Sequence, residues 1–379
     1  MRTSLVILGL SITSSWGNGH ATTYRSLVRG LSELGYDVLF LERDMPWYAQ
    51  NRDCPSFESC RVELYESVAD LSRRFESEIK QADAVIVGSY VPDGAEVVRS
   101  VLDAARGVRL FYDIDTPITL ARLAEGTPTY IAHADIPELD GYLSFSGGPV
   151  LDLIERKYGA KIALPLYCSV DPVLYHPAPG STRHALSYLG TYSIDRQPSL
   201  ESFLFTAARA LPEESFVVGG SGYPEGVWPK NVSRLEHVNP RDHAAFYGGS
   251  RFTLNVTRED MRRLGHSPSV RLFEAAACGV PIISDEWPGI ESFLEPNYEI
   301  LIARDTEDVM RFLRDLPERE RRALGIRARK HVLSEHTAER RARLLDYYLK
   351  NLLATRREAR TRLTRRIDAL DSASIGQET

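Results

Sequence analysis

At 379 residues the chain is too long for one ordinary core and suits two domains. Its 43% apolar and 26% charged residues exclude a disordered chain, and no apolar run approaches the ~20 residues that span a bilayer. The formal net charge of −6 is unevenly spread, because residues 319–366 hold 16 Lys/Arg against 5 Asp/Glu on an otherwise acidic body. That run reads as a solvated helix face, or as a segment for peripheral contact with an anionic membrane surface, an acidic polymer or nucleic acid.

Arg2 and the apolar residues 5–12 have the length of a signal-peptide core, yet Thr13, Ser14, Ser15 and Trp16 offer no small-x-small cleavage site. A buried first strand is the better reading, and it implies a cytoplasmic protein with no transmembrane segment. Cys54, Cys60, Cys168 and Cys278 lack the close spacing of a zinc or redox site and are expected as structural thiols.

Residues 5–10 predict a strand that runs into a glycine-bearing loop. A helix with Leu27, Leu31 and Leu34 on its inner face follows, closed by Gly35, and residues 38–41 form the next strand. This β-α-β unit calls for a parallel sheet. Further strands are expected at 84–88, 109–112, 142–145 and 161–165, with a helix near 94–106. Pro172, Pro177, Pro179 and Gly180 mark a linker, after which the alternation restarts. Strands at 187–190, 215–220, 232–235, 252–256 and 281–284 and a helix near 200–211 build a second sheet, and residues 318–367 are helical in pattern. The predicted organisation is an α/β fold with a domain over 1–170, a linker over 171–182, a second domain over 183–335 and an arginine-rich helical tail over 336–379. Ligand chemistry is expected in the cleft between the two sheets.

The stretch from Ser267 to Pro281, SPSVRLFEAAACGVP, carries the most specific chemistry. Ser267 or Ser269 caps a helix whose first turn, including Val270, offers free N–H groups and positive dipole to an anion. Arg271 adds a fixed cation for a diphosphate. Glu274, three residues on, shares its face and can accept both hydroxyls of a ribose. Gly279 ends the helix and Pro281 starts the next strand.

This stretch resembles the donor-binding signature of GT-B glycosyltransferases with a family-4-like layout, which implies two Rossmann-like domains facing across a cleft. In that signature the glutamate before Ala-Cys-Gly-x-Pro binds the donor ribose, the role implied for Glu274. The family pattern has a second glutamate eight residues earlier that touches the donor sugar; here the place holds His266, so that contact is altered or supplied elsewhere. Ser169-Val170-Asp171-Pro172, with Tyr175 and Pro177, resembles the interdomain linker of such enzymes. Gly190-Thr191-Tyr192 with Arg196 resembles the loop after the first strand of the C-terminal domain, where a cation faces the leaving diphosphate. Tyr192 is expected at the donor, and Val238-Asn239 lies where the family's backbone meets the nucleobase.

Gly17-Asn18-Gly19-His20 resembles the glycine loop near the transferred sugar, with Gly17 and Gly19 permitting close backbone approach and His20 at the helix entry. Asp113 and Asp115, following a strand, are expected over the cleft as base toward the acceptor or as groups orienting His133 or the substrate. Two carboxylates are too few to define a metal site, so no obligatory metal or cofactor is expected. Residues 14–25 and 111–115 are most similar to the CgeB-like branch of bacterial glycosyltransferases. The resemblance implies transfer of a hexosyl unit from a nucleoside diphosphate sugar, UDP by default, to an acceptor hydroxyl. Family-4-like relatives retain the anomeric configuration, which favours retention. A nucleotide-sugar epimerase, a non-catalytic nucleotide-sugar-binding protein and a DNA-modifying transferase are the rival readings.

Overall fold

A computed structural model describes residues 2–375 apart from 181 and 227. The first sheet comprises β1 (Ser4–Gly9), β2 (Asp37–Arg43), β3 (Arg61–Tyr65), β4 (Ala84–Gly88), β5 (Val108–Asp113), β6 (Gly141–Ser144) and β7 (Ala163–Pro165), in the order 3-2-1-4-5-6-7. The second comprises β8 (His184–Leu189), β9 (Phe216–Gly219), β10 (Val232–Leu235), β11 (Ser250–Asn255), β12 (Ile282–Ser284) and β13 (Leu301–Ile302), in the order 10-9-8-11-12-13. Every strand pair is parallel. Two Rossmann-like parallel sheets with interleaved helices are the architecture expected. β3 and β13 were not legible, the one because its exposed residues break the apolar run, the other because it is two residues long.

Both sheets reverse strand order once, between β1 and β4 and between β8 and β11. A parallel sheet opens a crevice at the carboxyl ends of its strands at such a point. The first helix, His20–Glu33, buries Tyr24, Leu27, Val28 and Leu31 on the first sheet and ends at Gly35 in left-handed conformation. Leu34 is not on that inner face but exposed, since the helix has already unwound there. The helix predicted at 200–211 instead runs from Gln197 to Ala210 through a π turn at Glu201–Phe205.

The C-terminal region is helical, as two helices, Glu318–Glu335 and Ala338–Ile375. The break lies where the chain crosses back to the first domain. Val170 donates its N–H to His336 O (3.0 Å) and accepts from Ala338 N (2.9 Å), so both interdomain crossings are hydrogen-bonded together. The final helix then docks on the first sheet's side. Ala342, Leu345 and Leu349 are buried, Tyr36 Oη donates to Asp346 (2.9 Å), and Tyr348 Oη donates to Pro165 O (3.1 Å). Much of the basic run is engaged internally. Arg341 is buried and donates to Tyr167 O, Glu335 O and His336, Arg329 donates to Ala277 O, and Arg356 bridges Asp140 and Arg106 O. Of the expected tail, residues 376–379 and the side chains of 359, 360 and 362 onward lie outside the described residues. No helix among the described residues is long and apolar enough to cross a membrane.

His336 is stacked on Phe273 (ring centroids 4.4 Å apart) and accepts from Arg341 at 2.7 Å. Burial, then the neighbouring Arg341 charge, hold its pKa down at about 3. A histidine whose folded pKa lies below its unfolded value stabilises fully above the unfolded pKa, and that contribution is lost as pH falls through the window between about 6.5 and 3. The stability difference between wild type and His336→Gln, measured by urea unfolding, should therefore shrink by about 1.4 kcal/mol per pH unit between pH 6 and 4. A difference constant with pH would contradict the assignment.

Candidate active site

The two crevices face each other. A cavity of about 430 Å³ is lined from the first domain by Gly17, Asn18, Gly19, His20, Tyr90 and Asp115, and from the second by Thr191, Arg196, Thr257, Arg258, Ser269, Val270 and Arg271. It adjoins a cavity of about 170 Å³ that shares Gly17, Gly19, Val270 and Arg271 and extends to Gly190, Gly220, Val238, His243 and Glu274. The sizes are those of a small-molecule site, and the polar groups converge from both domains.

The glycine loop after β1 is held from below by two carboxylates. Glu42, at the end of β2 and fully buried, accepts from Ser11 Oγ, Ile12 N, Thr13 N and Thr13 Oγ1 at 2.6–3.0 Å. Asp53 accepts from Ser15 N and Oγ and from both terminal nitrogens of Arg25 at 2.8–3.0 Å. Burial opposes ionisation of Asp53, but the bonds from Arg25 and Ser15 outweigh it and hold its pKa at about 2. The loop thus presents Gly17, in left-handed conformation, and Gly19 to the cavity on a rigid base. Asn18 Oδ1 accepts from Ala21 N (3.1 Å) in the first helical turn. His20 stands edge-on to Tyr90 (5.0 Å), and burial lowers its pKa to about 4, so the ring is neutral near pH 7.

Asp113 and Asp115 part company. Asp113 is fully buried, accepts from Tyr142 Oη and from Thr119 Oγ1 (2.7 Å), and does not line the cavity; burial raises its pKa to about 6. It fastens the strand end and is not placed as a base. Asp115 does line the cavity, accepting from Tyr90 Oη (2.7 Å) with Arg258 Nη1 at 3.6 Å. Burial raises its pKa, against the pull of Tyr90, Arg258 and Arg196. His133 is exposed and sits edge-on to Tyr158, oriented by neither aspartate.

On the second domain, the helix Val270–Ala277 starts at the cavity. Ser269 is its cap, accepting from Arg271 N (3.4 Å). Ser267 is instead buried and bonded to Ser146 Oγ of the first domain, outside the cavity lining. Arg271 bonds Leu189 O through Nε and Ser269 Oγ through Nη1 (3.2 Å). Glu274 accepts from Tyr247 Oη (3.1 Å), and Tyr175 of the linker touches the same region through His243 (3.1 Å). Arg196 is 5% exposed and donates to Thr191 O (2.7 Å); burial, Arg271 and Arg258 all lower its pKa. Among the described residues, the buried atoms without a hydrogen-bond partner include His20 Nδ1 and Arg196 Nε, both on residues that line this cavity. Buried polar atoms are rarely left unpaired, so these two are available to a polar ligand.

Glycine is required where backbones meet beneath that ligand. A Cβ at Gly190 would stand 2.7 Å from Arg271 Nη2, and one at Gly220 only 2.0 Å from Gly190 O. Tyr192 turns from the cavity onto Tyr223 (5.6 Å), and Thr191 takes the lining position. His266 lines neither cavity. Its ring is wedged between Gly148 and Gly289, where added Cβ atoms would approach it to 2.7 and 2.4 Å, and its carbonyl accepts from Gly147 N (3.0 Å). Tyr90, Thr257 and Arg258 were missed by sequence reasoning. The signal that finds them is their place after the strands flanking the two reversals, β4 and β11.

The glycosyl transferase-like family model matches residues 196–346. No curated protein sequence matches the chain. Among solved structures, a sucrose-phosphate synthase from Thermosynechococcus elongatus superposes with a TM-score of 0.72 at 14% identity, covering 93% of this chain and 100% of that one. An alpha-glucosyltransferase in complex with UDP-glucose and DNA containing an abasic site gives 0.68 at 12% identity, with coverage of 92% and 99%. Anabaena HepE in complex with UDP and glucose gives 0.65 at 10% identity, with coverage of 92% and 100%. The fold is GT-B, and the family match falls on its second domain and the start of the final helix.

Because the half-buried His266 packs away from both cavities, His266→Ala should leave UDP affinity within about twofold while lowering the thermal midpoint through its lost packing against Gly148 and Gly289. Calorimetric binding and thermal unfolding check this together. A large loss of affinity with unchanged stability would mean the ring reaches the ligand.

Proposed function

We propose that this chain transfers a hexosyl unit from a UDP-sugar to an acceptor hydroxyl. One observation carries the reading: the buried Arg196, the half-buried Arg271 and the buried carboxylate Glu274 line adjoining cavities at the paired sheet reversals, two cations for a diphosphate and a carboxylate for a ribose. Glu274 accepts the ribose hydroxyls, oriented by Tyr247. Ser269, Val270 and the helix start, with Arg271 and Arg196, hold the diphosphate and stabilise the charge that develops on it. The Val238 backbone meets the base. Gly17 and Gly19 admit the sugar, and neutral His20 and Asp115 serve the acceptor side. Arginines meet the leaving-group charge, which supports a metal-independent reaction. The segments at 14–25 and 111–115 support placement in the CgeB-like branch.

In the reaction the acceptor hydroxyl oxygen bonds to the anomeric carbon and gives its proton to Asp115, as the bond from that carbon to the β-phosphate oxygen breaks and UDP leaves with the electron pair. Asp115 lies within the field of Arg196 and Arg258, so the acceptor-side carboxylate is beside the leaving-group cations. Incoming and outgoing oxygens then share one face of the sugar, which supports retention. The UDP-bound and UDP-glucose-bound neighbours support the choice of base.

Calorimetry should find UDP binding to wild type, weakened by about 1–3 kcal/mol in Glu274→Ala, the value of a buried charged hydrogen bond. No binding by any nucleoside diphosphate would remove the transferase reading. With an α-linked donor, proton NMR of the first-formed product should show the α anomer; a β product would sink retention.

A further inference from the structure

Arg258 stands at the reversal of the second sheet, three residues past the end of β11. Its root is fixed. Thr257 N donates to both Asp285 oxygens at 3.1 Å, and Thr257 Oγ1 donates to Asp285 at 2.8 Å. Glu259 N donates to Asp195 (3.1 Å), which ties the start of the following helix to the loop that carries Arg196. The guanidinium itself is little committed. Its ion pair is with Asp115 across the domain boundary, at 3.6 Å, well beyond the ~2.7–2.9 Å of a charge-assisted hydrogen bond. By contrast Arg25 grips Asp53 with two bonds of 2.8 and 2.9 Å. Arg196 and Arg271 each spend a donor on a backbone carbonyl, while Arg258 lines the same cavity with its donors turned to Asp115 alone among the described residues.

We propose that Arg258 is a third cation for the donor diphosphate, held by Asp115 until the donor arrives, so that phosphate and acceptor-side carboxylate compete for one guanidinium. The inference rests on the nucleotide-sugar reading above and deepens it. Among the residues lining this cavity three guanidiniums stand against one carboxylate, with Asp195 outside the lining acting on Arg196 and Arg258, and a diphosphate balances the cationic excess. Phosphate oxygens can take two parallel N–H bonds from an arginine, a geometry the 3.6 Å contact lacks. Once Arg258 turns to them, Asp115 keeps its bond from Tyr90 and the more distant Arg196, and faces the acceptor hydroxyl with less of its charge compensated. Without donor, the carboxylate stays neutralised. The pair thus makes the acceptor side depend on a filled donor site.

The test is calorimetric titration of the full chain with UDP and with uridine, which has no phosphate, for wild type, Arg258→Gln and Asp115→Asn. Arg258→Gln should weaken UDP about tenfold or more while uridine stays within about twofold. Asp115→Asn should tighten UDP severalfold, since it frees the guanidinium from its competitor, and a misfolded variant cannot produce that gain. UDP affinity unchanged in Arg258→Gln, or weakened in Asp115→Asn, overturns the inference. If Glu274→Ala loses UDP affinity while Arg258→Gln does not, only this inference falls; if wild type binds no UDP, both readings fall.

Discussion

Parallel strands constrain everything else in this molecule. Because all strands of a sheet run one way, every loop that follows a strand emerges on the same edge, and right-handed crossovers leave one crevice per sheet. Here the two edges are turned toward each other, so residues from the ends of β1, β4 and β5 meet residues from the ends of β8 and β11. No single segment contains the site. Chemistry arises from loops far apart in sequence, each fixed at its root by a strand.

That arrangement explains why the loops are so heavily tied. A loop of free N–H groups over a buried sheet edge must be satisfied from the protein. Glu42 does this for Ile12 and Thr13, Asp53 for Ser15, and Asp285 for Thr257. All three carboxylates bond backbone N–H groups directly, and none lines the 430 Å³ cavity. The carboxylates that structure the loops are therefore separate from Asp115 and Glu274, which line the cleft. The cleft, by contrast, is lined by three arginines, Arg196, Arg258 and Arg271, which favours capture of an anionic ligand there.

The alternation of strands and helices was legible because buried parallel strands read as short apolar runs. The positions of Arg271 and Glu274 were legible too, since three residues on a helix fix a common face. Asp113 and Asp115 were not separable. Strand alternation would put both on one side, but β5 ends at Asp113 and the chain turns into a helix at Thr116, so the alternation stops between them. Ser267 and Ser269 were equivalent as caps in sequence; only the first domain's Ser146 decides that one of them faces elsewhere. Arg258 gave no motif, because its meaning comes from the neighbouring strand β8, which pairs with β11 from far away in sequence.

The donor-side helix also reaches the joint between the domains. Arg271 and Glu274 face the cavities, while Phe273 on the opposite side stacks on His336, and His336 O accepts from Val170 in the first crossing. The linker residue Tyr175 approaches the Glu274 carboxylate through His243, and Asp171 pairs with Arg29 of the first helix. The chain passes between domains at 170 and at 336–338, and these two passages form one hydrogen-bonded unit. The helix that would hold ribose and diphosphate is therefore joined to that unit through an aromatic stack and one layer of side chains.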